Sequence, residues 1–181
     1  MDNKEIELKF VIDKARREKI LADIEIIAEF VGEKRQIDTY YIPEFKSFDE
    51  NGETKECLRI RQSNGKNVMC YKNIHRESNP VYCDEFETEL SDNYGMEKIL
   101  FALGFKVQMV IDKVRKSFVY GEFEIDFDSV NDKLEILEIE LKNNSLGEDA
   151  ILEFVKKYGL TKSDVTYRGI QKIILDLNER N

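Results

Sequence analysis

The sequence predicts an α+β fold: an antiparallel sheet of about eight strands, closed into a barrel or left open and twisted, with helices against it. Three observations predict it. Apolar and charged residues alternate with a period of two in segment after segment, the mark of strands with two unlike faces. These segments follow one another through turns, which implies antiparallel pairing. An even set near eight suits closure into a barrel with a charged interior and flanking helices. At 181 residues the chain fits one domain spanning residues 1–181.

The elements follow in order. Residues 4–12, "KEIELKFVI", alternate strictly, with Glu5, Glu7 and Lys9 opposite Ile6, Leu8 and Phe10. The stretch from Asp13 to Gly32 places Ile20, Leu21, Ile24, Ile27, Ala28 and Val31 at helical spacing, with Asp13 as N-cap and Gly32 as the stop. Arg16, Arg17 and Lys19 form its solvated face. Strands are expected over 35–42, 56–62, 68–73 and 84–90, with a long polar loop between the first two. Pro43 and Pro80 fall in loops on this reading. A second helix starts at Ser91 and stops at Gly104. Two long alternating runs, 106–120 and 122–130, meet in a hairpin at Gly121. A further strand, 133–142, precedes two C-terminal helices.

Composition narrows the function. Charged residues make up 36% of the chain, against roughly 25% in a typical globular protein. The formal net charge of -9 argues against DNA or general nucleic-acid binding, which needs a basic face. A small anion is still allowed, because local charge can oppose net charge. Cys57, Cys70 and Cys83 form no CxxC pair, which argues against a zinc cluster or disulfide framework and for reduced thiols in the cytoplasm. No apolar run approaches the roughly 20 residues of a membrane span. No phosphate-binding glycine loop is present.

The charged strand faces carry the chemistry. Arg59 and Arg61 share a face, as do Lys113 and Arg115, and Lys72 lies on a third strand. Acids share faces elsewhere: Glu85, Glu87 and Glu89; Glu122, Glu124, Asp126 and Asp128; Glu138 and Glu140. A solvated sheet face would explain charge in general. It would not explain like charges repeated at i and i+2, which repel. Turned inward, Lys9, Arg59, Arg61, Lys72, Lys113 and Arg115 would converge on an anion, and arginine's planar fork suits phosphate. The carboxylates would then need cations, and hard oxygen donors suit Mg²⁺ or Mn²⁺. The physical reading is a metal-polyphosphate site inside a barrel.

At this point the residues resemble a known family. "EIELK" (5–9) resembles the E-x-E-x-K signature of the CYTH superfamily, the triphosphate tunnel metalloenzymes. "QIDTYY", "LRIR", "YK", "EFETEL", "DKVR", "DFDSV" and "LEIEL" follow in that family's order, over nearly the whole chain. The resemblance implies an eight-stranded antiparallel tunnel, a triphosphate substrate (ATP, inorganic triphosphate or thiamine triphosphate) and dependence on Mg²⁺ or Mn²⁺. By motif, Glu5, Glu7, Glu138 and Glu140 would hold metal, with Asp128 near a second ion. Lys9, Arg59, Arg61, Lys72, Lys113 and Arg115 would hold the triphosphate, with Lys113, Arg115 and Asp128 at the reacting bond. Glu87 and Glu89 are further candidates, since the register of the 84–90 strand is open, and Asp126 is another. A homodimer is compatible with the resemblance.

Three functions stay in play. An adenylyl cyclase would form cyclic AMP and pyrophosphate from ATP, and the long insert between "DTYY" and "LRIR" resembles that branch. A triphosphatase would release orthophosphate. A barrel that holds polyphosphate without turnover is the third. Tyr40 or Tyr41 could stack on a base, with the other in the core. His75 is read as a surface loop residue.

Overall fold

The fold is seen in a computed structural model that describes residues 4–75, 77, 82–142 and 146–179, and of residues 4, 5, 178 and 179 the backbone alone. The N-terminal stretch forms β1 (Lys4–Glu5) and β2 (Glu7–Ile12), separated at Ile6. Then come α1 (Lys14–Ile27), β3 (Glu29–Pro43), a small hairpin of β4 (Asp49–Glu50) and β5 (Glu53–Thr54), β6 (Glu56–Ser63), β7 (Lys66–His75) and β8 (Tyr82–Leu90). The second half is α2 (Asn93–Ala102), β9 (Phe105–Tyr120), β10 (Phe123–Val130), β11 (Leu134–Leu141), α3 (Glu148–Val155), β12 (Val165–Thr166) and α4 (Ile170–Glu179).

One strongly curled antiparallel sheet runs in the order β1-β8-β7-β6-β3-β9-β10-β11-β2-β12. The chain from Lys4 to Ile12 therefore touches both sides of it: Glu5 pairs with Cys83 on β8, and Glu7 pairs with Glu140 on β11.

The outward apolar faces are buried by helices. Leu8, Phe10, Ile125, Phe127, Leu137 and Ile139 pack against Ile20, Leu21 and Ile24 of α1 and Ile151 and Val155 of α3. Asp13 starts α1 as expected, its carboxylate accepting the Arg16 backbone N–H at 2.7 Å. Arg16 and Lys19 are exposed, whereas Arg17 reaches Glu135 at 3.0 Å.

Several expectations are corrected. The first helix stops at Ile27, and residues 29–34 belong to β3, which pairs with β9 along its whole length. Ladder bonds and a Phe30–Phe118 ring contact at 5.3 Å outweigh the helical spacing of Ala28 and Val31. Gly32 marks a register shift in β3 and not a helix stop. Pro43 ends β3 opposite Phe105 and is not in a loop; Pro80 lies outside the described residues. Asp92, not Ser91, caps α2, its carboxylate accepting the Gly95 N–H at 2.9 Å. The polar insert contains the β4–β5 hairpin and anchors it through buried Phe48 beside Tyr41, Leu58 and Ile60. His75 ends β7, stacked on Tyr82 at 4.5 Å and 2.8 Å from Asp84.

The concave face is not charged throughout. Along β9, β10 and β11 the inward residues change from Arg115 and Lys113 to Ile111, from Asp126 and Asp128 to Val130, and from Glu140 and Glu138 to Ile136 and Leu134. The apolar end is filled by Ile170, Ile173 and Ile174 of α4, packed with Tyr40. The helix thus plugs the end whose side chains would otherwise face water.

Candidate functional site

Alternation on seven strands brings the charged residues to one cavity of about 220 Å³. Its lining includes Glu7, Lys9, Arg59, Arg61, Lys72, Glu85, Lys113, Arg115, Glu124, Asp126, Glu138 and Glu140. All six cations expected to converge do so. Lys9 lies between Glu7 and Glu138, bonded to the first and 3.0 Å from the second.

On β9, β10 and β11 the charges satisfy one another. Asp128, fully buried, accepts from Lys113 Nζ at 2.5 Å and from Arg115 Nε and Nη2 at 2.7 and 2.6 Å. Arg115 also donates to Asp126 and Glu138. Burial alone would raise the Glu138 pKa, but Lys9 and Arg115 outweigh it and hold the carboxyl well below the usual range. Burial and the neighbouring Arg115 push the Lys113 ammonium down to about 8, with Asp128 opposing.

On β3 and β6 the match is incomplete. Asp38, also fully buried, takes both its bonds from Arg61, at 2.7 and 2.8 Å. Arg59 therefore reaches Asp38 only at 3.9 Å, Glu85 at 3.9 Å and Glu87 at 3.8 Å, too far for hydrogen bonds. Its Nε is buried without a partner. Lys72 is engaged by Glu85 at 2.5 Å.

Glu140 shows the opposite mismatch. It lies beside Glu7 on β2 and Glu124 on β10. Burial, then repulsion from Glu7, Glu124 and Glu138, pushes its pKa up to about 7, with Lys72 opposing. Four carboxylates crowded at one cavity wall are a hard-oxygen donor set, and a divalent cation would relieve their repulsion. Among the described residues no three of Glu7, Glu124, Glu138 and Glu140 bring their oxygens within 4.8 Å of one another, so a cation there would have to draw them together. Cys70, Glu85 and Glu87 do bring donor atoms within 4.8 Å of one another. There, Arg59 lies against both carboxylates and opposes a cation.

Of the remaining expected residues, the Glu5 side chain lies outside the described residues. Asp128 is occupied by two cations and would reach a metal only by releasing them. Asp126 lines the cavity against Arg115. Glu87 is half-exposed, and Glu89 is exposed and 3.5 Å from Lys66. Glu85, not singled out from the sequence, is the member of that strand that reaches the cavity. Asp38 was also missed, although it shares a strand face with Gln36 and Tyr40 inside "QIDTYY". Tyr40 lines the cavity, while Tyr41 is core and donates to Glu97 at 2.6 Å. Arg168 joins the rim, bonded to Glu53 of the insert hairpin and to Asp176 of α4.

Fold and cavity together define an α+β protein whose curled antiparallel sheet carries a cavity of buried, mixed charge. The chain belongs to the CYTH domain family, which matches residues 3–169. It is 27% identical over 179 residues to the Methanocaldococcus jannaschii protein named "Putative adenylate cyclase", covering 96% of this chain and 97% of that one. The solved structure of the PH1012 protein of Pyrococcus horikoshii is 26% identical, with a TM-score of 0.75 over 93% of this chain and 98% of that one. A Hippeastrum protein described as having a dominant triphosphatase activity shares the fold at 15% identity, with a TM-score of 0.66 over 97% of this chain and 95% of that one. No helix among the described residues is long and apolar enough to cross a membrane.

Proposed function

We propose that the protein binds a triphosphate and Mg²⁺ or Mn²⁺ within the curled sheet and acts as an adenylyl cyclase, converting ATP to cyclic AMP and pyrophosphate. The observation that carries the triphosphate reading is Arg59, a buried guanidinium on the cavity wall whose ion pairs among the described residues are all 3.8 Å or longer. A buried cation left without hydrogen bonds is costly unless an anion completes it. The sheet is read here as a closed tunnel, on the grounds that the Lys4–Ile12 stretch pairs with β8 through its start and with β11 through its end.

Arg59, Lys72 and Lys9 would grip the phosphate oxygens from three strands, and Arg61, Lys113 and Arg115 would do so on exchanging a carboxylate for phosphate. Fixing the phosphate chain in line and neutralising its charge is most of what phosphoryl chemistry needs. Glu7, Glu124, Glu138 and Glu140 would hold the metal, as would Glu5 by its motif. Once bound, the ion supplies charge neutralisation at the phosphate oxygens and acidifies a coordinated hydroxyl. Asp128 keeps Lys113 and Arg115 aimed at the cavity. In the cyclase reaction the ribose 3′-oxygen bonds to the α-phosphorus, its proton leaves, and the α–β bridging bond breaks to release pyrophosphate.

The cyclase choice rests on the name of the archaeal relative and on the long insert. The same charges would serve water attacking the γ-phosphorus of inorganic or thiamine triphosphate. Three free thiols, Cys57, Cys70 and Cys83, suit a cytoplasmic location.

Incubation with ATP, inorganic triphosphate and thiamine triphosphate, each with Mg²⁺ and with Mn²⁺, tests the reading. Cyclic AMP with pyrophosphate is the expected product pair. Orthophosphate would move the assignment to a triphosphatase. Binding without turnover would leave a polyphosphate-holding barrel, and no binding would end the triphosphate reading.

A further inference from the structure

We infer that His75 is a proton-sensitive regulator of the cavity: its protonated form favours a bound polyphosphate, and loss of that proton weakens the hold. The inference rests on the triphosphate reading above and concerns the regulation of that site, not the residues that grip the ligand. His75 is the only histidine of the chain. It ends β7 as the register partner of Tyr82, the first residue of β8. The two rings stack at 4.5 Å and 18°. Tyr82 itself lines the cavity. The imidazole therefore sits one ring away from the place proposed for the anion.

The surroundings suit the charged ring. Nε2 is 2.8 Å from Asp84 and Nδ1 is 3.4 Å from Glu77, so a carboxylate stands at each nitrogen. An imidazolium has a proton on both nitrogens and serves both acids. A neutral ring has one N–H and serves one. Its bare nitrogen then faces a carboxylate or, at Nε2, the Asn73 amide at 3.3 Å. Lys55 acts on Glu77 from the same side, but its ammonium is engaged by Glu50 at 2.6 Å. Lys4 is the register partner of Asp84. Histidine is the side chain whose charge changes within the physiological pH range.

Position couples this proton to the cavity. Cys83 and Asp84 are the residues of β8 that pair with β1. The His75–Asp84 contact thus lies at the seam where the Lys4–Ile12 stretch meets β8. Two effects act with the same sign. An anion in the cavity favours a positive imidazolium behind the Tyr82 ring. A ring held by both carboxylates also fixes Tyr82 and the seam beside it. The coupling is reciprocal: if the proton tightens the ligand, the ligand retains the proton by the same factor.

The test measures the dissociation constant of inorganic triphosphate by calorimetry at about pH 6 and about pH 8, on either side of imidazole titration. Ca²⁺ is the cation, to suppress turnover, and the parent chain is compared with His75→Gln. Glutamine keeps a hydrogen-bonding amide beside Asp84 and takes up no proton. Protonation of the ligand and of Glu140 is common to both proteins and cancels in the comparison. Over this interval, affinity should fall about 3-fold further in the parent chain than in the variant. Asp84→Asn should flatten the dependence in the same direction, and it carries the test if the first variant does not fold. The sole histidine gives a second readout by NMR: its ring-proton resonances should titrate at higher pH with the ligand bound than without it. Equal pH dependence in parent and variants, or a histidine titration that ignores the ligand, would overturn the inference alone. A parent chain that binds no triphosphate at either pH would instead sink the triphosphate reading beneath it, and this inference with it.

Discussion

Lys113 and Arg115 on β9 stand against Asp126, Asp128 and Glu138, and every one of these charges has a hydrogen-bonded partner. Across the same cavity, Arg59 has no carboxylate closer than 3.8 Å among the described residues, and Glu140 is crowded by other acids. The first wall is an internal salt-bridge network that holds itself together without a ligand. The second has a cation whose carboxylates stand too far for hydrogen bonds and a carboxylate crowded by other acids. A binding site needs both kinds of wall: one rigid enough to keep charges buried, one unsatisfied enough to take a ligand.

Four measurements would break or sharpen that contrast. Asp128→Asn should have the largest effect, because it strands buried Lys113 and weakens the hold on Arg115. A loss of about 3–5 kcal/mol of unfolding free energy is expected in denaturant titration; a loss under about 1 kcal/mol would mean the first wall is not held by its pairs. Arg59→Met should do the reverse. Asp38 keeps both bonds to Arg61, so stability should change by less than about 1 kcal/mol, while triphosphate affinity falls roughly 10- to 100-fold. Unchanged affinity in calorimetry would remove the reason for calling the second wall receptive.

The third concerns Glu140, whose folded pKa of about 7 lies above its ordinary 4.5. As pH rises, the unfolded chain releases this proton first. The stability contributed by the protonated folded form is intact below about 4.5 and lost as pH climbs to about 7. Metal-free protein should therefore melt at a lower temperature at pH 7 than at pH 5, and added Mg²⁺ should narrow that difference. A melting temperature that rises over this window without metal would contradict the crowding. Glu138 and Asp128, both held low by their cations, act in the opposite sense below the window. The smallest effect belongs to Arg35→Ala. Arg35 pairs with Asp112 through the same chemistry but in solvent, where such pairs contribute little. Its melting temperature should match that of the parent chain.

The face of each strand was legible in the sequence. "LEIEL" sent Glu138 and Glu140 to the cavity and Leu137, Ile139 and Leu141 to the core, because successive side chains must point oppositely. Arg59, Arg61, Lys113 and Arg115 followed by the same rule. Depth along the strand was not legible. Glu85, Glu87 and Glu89 share one face, yet only Glu85 reaches the cavity, since β8 runs out toward the hairpin where Asn67 pairs with Leu90. Asp38 was hidden for a related reason. A lone acid among tyrosines carries no repeated signal, and its value depends on Arg61 from another strand.

By itself, the sequence determined which residues could share a face, that the sheet is antiparallel, and that acids and bases of unusual number lie inward. Those follow from local geometry, in which each residue's direction is set by its neighbours in the chain. Only the tertiary structure decided which charges meet. Curling the sheet brings Asp128 to Arg115 and Asp38 to Arg61, holds Arg59 beyond hydrogen-bond reach of its carboxylates, crowds Glu140 with other acids, and carries α4 to the cavity. These pairings depend on register, curvature and helix docking, which are set by burial summed over the whole molecule and not by any one segment.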